Sequence, residues 1–478
     1  MAYIQGDSRE QSLLFPEAID EYVTENNPVR FVDAYIESLD LEELGFTKAR
    51  PAATGRPPYQ AKDMLKLYVY GYLNRIRTSR RLEVECHRNV EMMWLLRKLR
   101  PDFKTIADFR RDNRRVFKQV FRDFVLLCRK LDLFGKELVA IDGSKFKAQN
   151  NRDKNFSDRF LKEKIKEIDE RLDKYLEQMD EADMKENGTA MAEVEGLKAK
   201  IEHFRLKQDE YRAMCRRMEK TGETQVSLTD PDSRSFSRKF SVDVGFNVQT
   251  AVDSKHSLIV DQDVTNAVTD IDQLSRMARG AKDALGVETL DVVADAGYCN
   301  SREVTYCERS GINAYTPRIP TSVNRKYGLY SKDMFRYDSQ NNCYWCPEGK
   351  QLTYRFDYFD KWRDKTRRIH TYECAECSGC FLKQKCTRAV RRRIQRAAED
   401  DAIDRMNERL KNHPEILKKR KQIVEHPFGT IKFWDGQRHF LMRGLENVRG
   451  EFSLSTLAYN IKRAINIVGV PALMEALA

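Results

Sequence analysis

Apolar residues recur at helical spacing through the first third of the chain. Between positions 58 and 76 they fall on one helical face, at Met64, Leu65, Tyr68, Val69 and Tyr72. A second run with the same spacing covers residues 115–131. Between the two, Pro101-Asp102 ends one element and Thr105 is placed to cap the next helix. The pattern predicts an all-helical domain over residues 1–135.

The periodicity changes after residue 136. A short apolar run at 137–141 predicts a strand that ends at Asp142, and further strands are predicted at 245–252, 257–264 and 289–294. An amphipathic helix from about 270 to 285 lies between the last two strands. Strands that alternate with a helix indicate a mixed α/β domain.

Two segments do not fit this α/β pattern. Residues 155–222 show apolar positions at steps of three and four, interrupted by Asn187-Gly188, and predict an inserted antiparallel helical hairpin. Residues 321–399 contain a cluster of cysteines and the basic run 388–396. The α/β core would then comprise 136–320 and 400–478, with helices predicted at about 400–411 and 416–432 and a last amphipathic helix at 453–468.

Composition narrows the class of protein. With 478 residues, 41% hydrophobic and 33% charged, the chain can bury large cores and is not a disordered protein. No apolar run approaches the ~20 residues of a membrane-spanning helix, and the start of the chain does not read as a signal peptide, so a cytoplasmic protein with no membrane contact is expected. The net charge of +11 suggests a polyanionic partner. Arginines of the helical domain are as consistent with a phosphate-binding surface as with solvated helix faces.

Three acidic residues stand out by position. Asp142 and Asp295 each follow an apolar strand and precede a glycine, and Glu425 lies in a helical segment rich in Lys and Arg. Such acids, if brought together, can hold two Mg²⁺ ions about 3.5–4 Å apart for phosphoryl transfer on nucleic acid. Each acid alone is more often a cap or a surface charge. The hypothesis therefore depends on the three acids meeting.

An ordered set of motifs spans nearly the whole chain. RPPYQAKDMLKLYVYGYLNRIRTSRRLE and PDFKTIADFRRDN are followed by AIDGSKFKAQ, TDPDSRS, FNVQTAVD, HSLIVDQDVTN, VVADAGYCN and VEHPFGTIKFW. In this order they resemble the DDE transposases of bacterial insertion sequences, specifically a group whose final motif reads close to VEHPFG-x-IK. The resemblance implies a ribonuclease-H-like catalytic core behind a helical DNA-binding domain.

The resemblance also implies roles for individual residues. Asp142, Asp295 and Glu425 would form the metal-binding triad, and Lys432 would contact phosphate. Related families carry an Arg four residues before the Glu, where this chain has Lys421 with Arg420 adjacent, so which cation takes that role stays open.

Residues next to the triad have less definite roles. Lys145 either supports the turn after Asp142 or contacts a phosphate. Asn247 and Gln249, two apart on a strand, face the same way and either line the cleft or pair with backbone. His426 is assigned to packing or DNA contact rather than to proton transfer.

The cysteines carry a second signal. Six of the 11 lie in two groups with CxxC spacing: Cys343, Cys346, Cys374, Cys377, Cys380 and Cys386. Four thiolates from such pairs can hold structural Zn²⁺ and stabilise an insertion too small for a core of its own. Six exceed one site's needs, so the ligand set stays open. An iron–sulfur cluster is a less favoured alternative to zinc, and free reduced thiols that bind no metal are a further alternative.

The sequence thus predicts a Mg²⁺-dependent DNA transposase. It would cleave the inverted-repeat ends of its element, join the 3′-hydroxyls to target DNA, act as a homodimer on DNA and associate with the bacterial nucleoid. The alternatives are a ribonuclease-H-like nuclease that cuts without joining, and an inactive DNA-binding protein derived from a transposase.

Overall fold

The computed structural model describes residues 18–50, 57–183, 188–238, 241–318, 323–362 and 365–478. Its N-terminal region is helical, as predicted, with α1 (Pro28–Ser38), α2 (Ala61–Leu73), α3 (Ser79–Arg88), α4 (Val90–Leu95), α5 (Phe103–Asp112) and α6 (Phe117–Lys130). The cap of α5 is Asp102, whose Oδ1 accepts from the backbone N–H groups of Lys104 and Thr105 at 2.9 and 3.0 Å. The expectation that Thr105 caps this helix is wrong, because Asp102 lies one residue before the first turn and reaches its free N–H groups.

Eight strands follow, and six of them form the central sheet. They are β1 (Leu138–Lys147), β2 (Asn155–Ser157), β3 (Gln225–Ser227), β4 (Arg234–Arg238), β5 (Ser241–Asp253), β6 (Ile259–Thr265), β7 (Leu290–Val293) and β8 (Ile312–Tyr315). The sheet order is β4-β5-β1-β7-β8, with β6 also paired to β5. Strand β1 is antiparallel to β5 and parallel to β7, and β7 is parallel to β8. Helices α9 (Leu274–Leu285) and α10 (Ser301–Arg309) connect the later strands, which confirms the mixed α/β class.

Strand β1 is longer than predicted. It does not end at Asp142 but continues to Lys147, because antiparallel pairing with β5 persists through Lys147 while parallel pairing with β7 stops at Ala140. Gly245, opposite Lys147, has no room for a side chain, since a Cβ there would lie 2.0 Å from the Phe146 carbonyl oxygen. Asp142 therefore lies within a strand, two residues beyond the point where its parallel neighbour ends.

Two elements are inserted into this core. Helices α7 (Asp158–Asp183) and α8 (Gly188–Thr221) pack against each other over a small cluster that includes Leu161, Ile168 and Ile201, and β2 and β3 pair at their base. The cysteine-containing segment forms a second sheet, ordered β13-β12-β11-β10-β9, from β9 (Arg336–Asp338), β10 (Cys343–Trp345), β11 (Gln351–Trp362), β12 (Lys365–Cys374) and β13 (Arg393–Ala397), with α11 (Lys383–Cys386).

This second sheet has a core of its own. Tyr344 and Tyr372 are buried against Leu352 and Ile394, with Phe335 beside them. The ring centroids of the two tyrosines are 5.1 Å apart in an edge-to-face arrangement, which adds to the energy of burying them. The expectation that this insertion is too small to have a core is therefore wrong, because five paired strands bury a cluster of aromatic rings.

The C-terminal helices close the structure. They are α12 (Asp400–Asn412), α13 (Ile416–Gly429), a π-helical turn at Thr430–Trp434, and α14 (Leu445–Glu475), which is kinked at Gly469. Pro427 lies inside α13; it removes one backbone N–H, and the π turn follows within three residues. In the described part of the chain no helix has the length and apolar character needed to cross a bilayer.

Helix α14 includes the last helix that the sequence predicts at 453–468, but it is longer and more deeply buried than an amphipathic pattern indicates. It begins at Leu445, eight residues earlier than expected, and every residue from Gly450 to Ile461 is buried. It packs on one side against α1, α2 and α6 and on another against β6. Because α14 contacts both the helical region and the sheet, one hydrophobic core runs from Val23 in the helical region to Leu473 in α14. A helix that is covered from several directions buries its polar residues along with its apolar ones.

Candidate active site

The pairing of β1 with β7 brings two of the predicted acids together. Ala140 is the register partner of Val293, and Asp142 and Asp295 each lie two residues farther along. Adjacent strands are about 4.8 Å apart, and residues two apart on a strand point to the same face. The two carboxylates therefore start from neighbouring positions at the carboxyl edge of the parallel strands. Each is partly bonded to backbone, since Gly143 N donates to Asp142 at 2.9 Å and Gly297 N donates to Asp295 at 2.8 Å.

The pKa of Asp142 reflects its burial first and its charged neighbours second. Burial, with a smaller contribution from the carboxylates of Asp295 and Asp270, raises the pKa of Asp142 to about 6 against the opposing attraction of the Arg420 guanidinium. Nearby like charges and loss of water both disfavour a carboxylate. The site is thus a partly buried acidic cluster that a bound cation would stabilise.

Helix α13 supplies the cation that faces Asp142. Arg420 Nη1 lies 3.5 Å from Asp142 Oδ1, and the Arg420 side chain is only 16% exposed. Lys421 is exposed. Of the two cations, Arg420 is therefore the one that approaches Asp142, and its role toward DNA stays a prediction.

Glu425 lies on the same helix but is exposed. With 3.6 residues per turn, five positions after Arg420 corresponds to about 140° around the helix, whereas Val424 and Phe428 on the intervening face are buried against the sheet. The structure thus brings Asp142 and Asp295 together and leaves the Glu425 side chain at the solvent-facing side of α13. Its place among the metal ligands stays a prediction.

A further acid, Asp270, belongs to the cluster and was missed by the sequence reasoning. Its Oδ1 accepts from Asn247 Nδ2 at 2.6 Å and from Gln249 Nε2 at 2.7 Å, and Lys145 Nζ lies 3.7 Å away. The predicted helix start at residue 270 concealed it, because α9 begins at Leu274 and Asp270 lies in the preceding loop. The spacing of Asn247 and Gln249 on one strand face was the available signal, since two amides facing a cleft need an acceptor.

Tyr298 is a further buried member of the network around Asp270. Its hydroxyl donates to Gln249 Oε1, and burial raises the pKa of Tyr298 well above its usual value, with the Asp270, Asp142 and Asp295 carboxylates adding to the effect. A hydroxyl held protonated in this way acts as a permanent donor. Lys145, for which the sequence left two roles open, also belongs to this network, because its Nζ lies 3.7 Å from Asp270 Oδ1.

Gly143 is required by this packing. A Cβ at this position would lie 2.5 Å from Gln249 Nε2, 2.7 Å from Asp270 Oδ1 and 2.9 Å from the Tyr298 hydroxyl. We expect Gly143→Ala to lower the free energy of unfolding by about 1–3 kcal/mol through overpacking and to displace the adjacent Asp142. Chemical denaturation measures the first effect. Gly196→Ala in α8 is the matched control, because a Cβ there would meet nothing within 4 Å and no loss is expected; equal stability of the two variants would contradict the packing argument.

Lys432 is tied to the same strand from the π turn. Its Nζ donates to Ser144 Oγ at 2.5 Å and to the Lys145 carbonyl oxygen at 3.0 Å, and it lies 4.5 Å from the centre of the Phe146 ring. Lys432, the predicted phosphate-binding residue, is thus fixed against β1 at Ser144 and Lys145, two and three positions after Asp142.

Three further residues within the ordered motifs, His426, Asp230 and Asp232, have structural contacts. His426 Nδ1 lies 2.8 Å from the Tyr459 hydroxyl, and burial, with Arg463 nearby, lowers the pKa of His426. Asp230 and Asp232 accept from the backbone N–H groups of Gly444 and Leu445 at 3.1 and 2.7 Å, at the start of α14. The His426 contact agrees with the predicted packing role, and Asp230 and Asp232 bind the backbone at the start of α14.

The cysteines of the second sheet converge only in part. Burial raises the pKa of Cys374 to about 11, and the neighbouring thiols of Cys377 and Cys346 contribute. Burial likewise raises the pKa of Cys386, with Cys377, Cys346 and Cys380 adding to it. Cys343 is buried within β10. All 11 cysteines are free thiols.

The sequence predicts two kinds of metal site, Zn²⁺ at the cysteines and Mg²⁺ at the acids, and the placement of these side chains bears on both. Within the described ranges, no group of three or more His, Cys, Asp or Glu side chains could by itself hold a metal ion, so zinc at the cysteines is not supported. The acidic cluster differs in its chemistry, because Mg²⁺ is commonly bound by one or two carboxylates together with substrate phosphates and water. Asp142 and Asp295 supply hard oxygen donors of that kind, and a bound cation would offset the cost of burying the Asp142 carboxylate, whose pKa burial raises.

Comparisons with known proteins agree with the motif resemblance. A family model described as Transposase domain (DUF772) matches residues 17–112, and one described as Transposase DDE domain matches residues 345–465. These matches support the resemblance to DDE transposases over the matched ranges, whereas an origin in a bacterial insertion sequence stays a prediction. The second match contains Arg420, Glu425 and Lys432, whereas Asp142 and Asp295 lie between the two matched ranges.

No curated protein matches the chain. Among solved structures it is similar to the piggyBac transposase in a synaptic complex with hairpin DNA, with 8% sequence identity and a TM-score of 0.32, over 95% of this chain and 79% of that one.

Proposed function

We propose that this protein is a DNA transposase that cleaves the ends of an insertion sequence and joins the exposed 3′-hydroxyls to target DNA. The observation that carries the proposal is the register of β1 and β7, which puts Asp142 and Asp295 at neighbouring positions on one edge of the sheet. The matches to two transposase families support it from the sequence.

The proposed core is ribonuclease-H-like and comprises residues 136–320 and 400–478. Support comes from the mixed sheet, in which the two acids lie two residues beyond the last parallel pair of β1 and β7 and α13 packs across β1, β5 and β7. The helical hairpin within 155–222 and the second sheet within 321–399 are insertions in this core. Ligand sites at the carboxyl edge of parallel strands are common in α/β proteins.

Asp142 and Asp295, joined by Glu425 from α13, are the proposed holders of two Mg²⁺ ions. Such ions neutralise charge at a phosphate and activate the attacking oxygen. The chain's own cations orient the DNA: Arg420 is aimed at Asp142, Lys432 is fixed on β1, and Lys145 is held by Asp270. Asp270, Gln249 and Tyr298 keep Gly143, and hence Asp142, in position.

The charge distribution supports a DNA partner. Residues 321–399 contain 18 Lys and Arg against nine Asp and Glu, so this insertion carries +9 of the chain's net +11. Clustered positive charge attracts a phosphate backbone without reading sequence. We therefore propose that the second sheet, with the helical region 1–135, grips DNA, and that two copies of the chain act together on two DNA ends.

Purified protein incubated with Mg²⁺ and labelled DNA from both flanks of its gene tests this function. We expect cuts at the ends of the element and products in which those ends are joined to a second DNA, and loss of both when EDTA is added. Cutting without joined products would favour the nuclease alternative. DNA binding with neither reaction, at any Mg²⁺ concentration, would favour the inactive DNA-binding protein.

A further inference from the structure

Two neighbouring aromatic side chains are exposed beside the candidate active site. Phe433 and Trp434, the last residues of the π turn, are each 69% exposed, whereas Ile431 in the same turn is 1% exposed. Large aromatic groups that stay in water gain nothing for folding, and such groups are typical of binding surfaces. We call Phe433 and Trp434 together the aromatic step.

The aromatic step is held firmly by its flanks. Before it, Lys432 is hydrogen-bonded to Ser144 and to the Lys145 carbonyl oxygen on β1. After it, Asp435 N donates to the Thr430 carbonyl oxygen at 2.8 Å, and Phe440 N donates to the Lys147 carbonyl oxygen at 2.9 Å. Both ends of the segment are thus bonded within the turn or to the strand that carries Asp142. The exposure of the two rings is a property of a fixed backbone rather than of a loose loop.

The surroundings of the step are cationic. The Arg438 guanidinium lies 5.1 Å from the centre of the Phe433 ring. Arg75 and Lys462 each approach Asp435 at 3.9 Å, and Arg77 donates to the Gly436 and His439 carbonyl oxygens. These four cations face two carboxylates, Asp435 and the buried Glu451 that pairs with Arg77, and the remaining positive charge favours a polyanion. They disfavour a second copy of the same surface, since a two-fold contact would bring like charges together.

We propose that the aromatic step binds unpaired nucleobases of a DNA strand whose phosphates lie along these cations. This inference rests on the proposed function in so far as DNA is the occupant of the adjacent acidic cluster. Aromatic side chains stack on bases of any sequence, while nearby Lys and Arg follow the backbone. The step would hold the bases next to the reacting phosphate in a fixed position relative to Asp142.

Binding of single-stranded DNA by the full-length protein tests the proposal without requiring cleavage. In fluorescence anisotropy with a labelled oligothymidine, we expect Phe433→Ala and Trp434→Ala each to raise the Kd about five- to hundredfold, the range found when base-stacking aromatics are removed. The salt dependence of binding is expected to stay unchanged, because no charge is removed. An abasic strand of equal length should bind weakly to the unaltered protein, and the two variants should no longer distinguish it from oligothymidine.

Tyr306→Ala is the matched control, because Tyr306 is a 49% exposed aromatic residue on α10. It should leave both affinities unchanged. Unaltered oligothymidine affinity in Phe433→Ala and Trp434→Ala would overturn the proposal. So would a change of oligomeric state, seen by analytical ultracentrifugation, without a change in DNA affinity, since the step would then be a contact between subunits. Base-dependent binding by a protein that never cuts DNA would refute only the proposed function.

Discussion

Asp142→Asn is expected to reduce DNA cleavage by about a thousandfold or more. The amide removes a negative charge from the cluster formed with Asp295 and Asp270, and metal-assisted stabilisation of a phosphoryl transition state is worth several kcal/mol, at about 1.4 kcal/mol for each tenfold change in rate. Because Asn has nearly the same shape and Asp142 is crowded by like charges, the fold should not lose stability. Single-turnover cleavage of labelled end DNA measures the effect, and urea unfolding checks the fold.

Asp291→Asn provides the matched control. Asp291 lies on β7, four residues before Asp295, and its carboxylate accepts from Asn313 Nδ2 at 2.9 Å and from the Tyr315 hydroxyl at 3.2 Å, away from the acidic cluster. We expect this variant to cleave DNA at nearly the unaltered rate. Asp295→Asn and Glu425→Gln should behave like Asp142→Asn. If Asp142→Asn cleaved DNA as fast as the unaltered protein, the proposed role of the acids would be untenable.

Glu451→Leu is expected to lower the free energy of unfolding by about 3–5 kcal/mol, the cost of removing one partner from a buried charged network. Glu451 is fully buried in α14 and accepts from the backbone N–H groups of Leu441 and Met442 at 2.9–3.0 Å. Its Oε1 also lies 3.6 Å from Arg77 of the helical region. Burial raises the pKa of Glu451 against the attraction of Arg110 and Arg77. Leucine would leave these donors and cations without an acceptor.

Glu446→Gln is the corresponding control on the same helix. Glu446 is 45% exposed and pairs with Arg115 and Arg449 at the surface, where ion pairs contribute about 0–1 kcal/mol. The two variants are compared by their urea midpoints at constant m-value. A Glu451→Leu protein as stable as Glu446→Gln would mean that the contact between α14 and the helical region does not depend on this carboxylate.

Glu451 lies where the helical region and the α/β core pack against each other, and the hydrophobic core is continuous between the two. The sequence places a boundary near residue 135, since the periodicity changes there. The structure carries the hydrophobic core across it, with Tyr35 and Phe124 on one side and Phe452 on the other. Periodicity reports which face of each element is apolar, but it does not report which distant element covers that face.

For the acidic site, too, some features were predictable from the sequence and others depended on the fold. The strand-end positions of Asp142 and Asp295 were visible in the sequence as acids that follow apolar runs, and only the register of β1 with β7 made them neighbours. Asp270 was hidden because it lies in a loop, and its contacts with two amides of β5, 21 and 23 residues earlier, appear only once β5, β6 and the loop are folded together. Arg420 rather than Lys421 faces Asp142 because of the rotation of α13 about its axis, which its buried residues determine.

By itself, the amino-acid sequence determined the helical start of the chain, the α/β class, the heptad spacing of residues 155–222 and the order of motifs that relates the chain to transposases. These are local signals, set by spacing within one element. Only the tertiary structure decided the length of β1, the burial of α14, the recruitment of Asp270 and Arg420, and the exposure of Glu425, Phe433 and Trp434. Those outcomes depend on contacts between different elements of the chain, whose free energies exist only once the chain has folded.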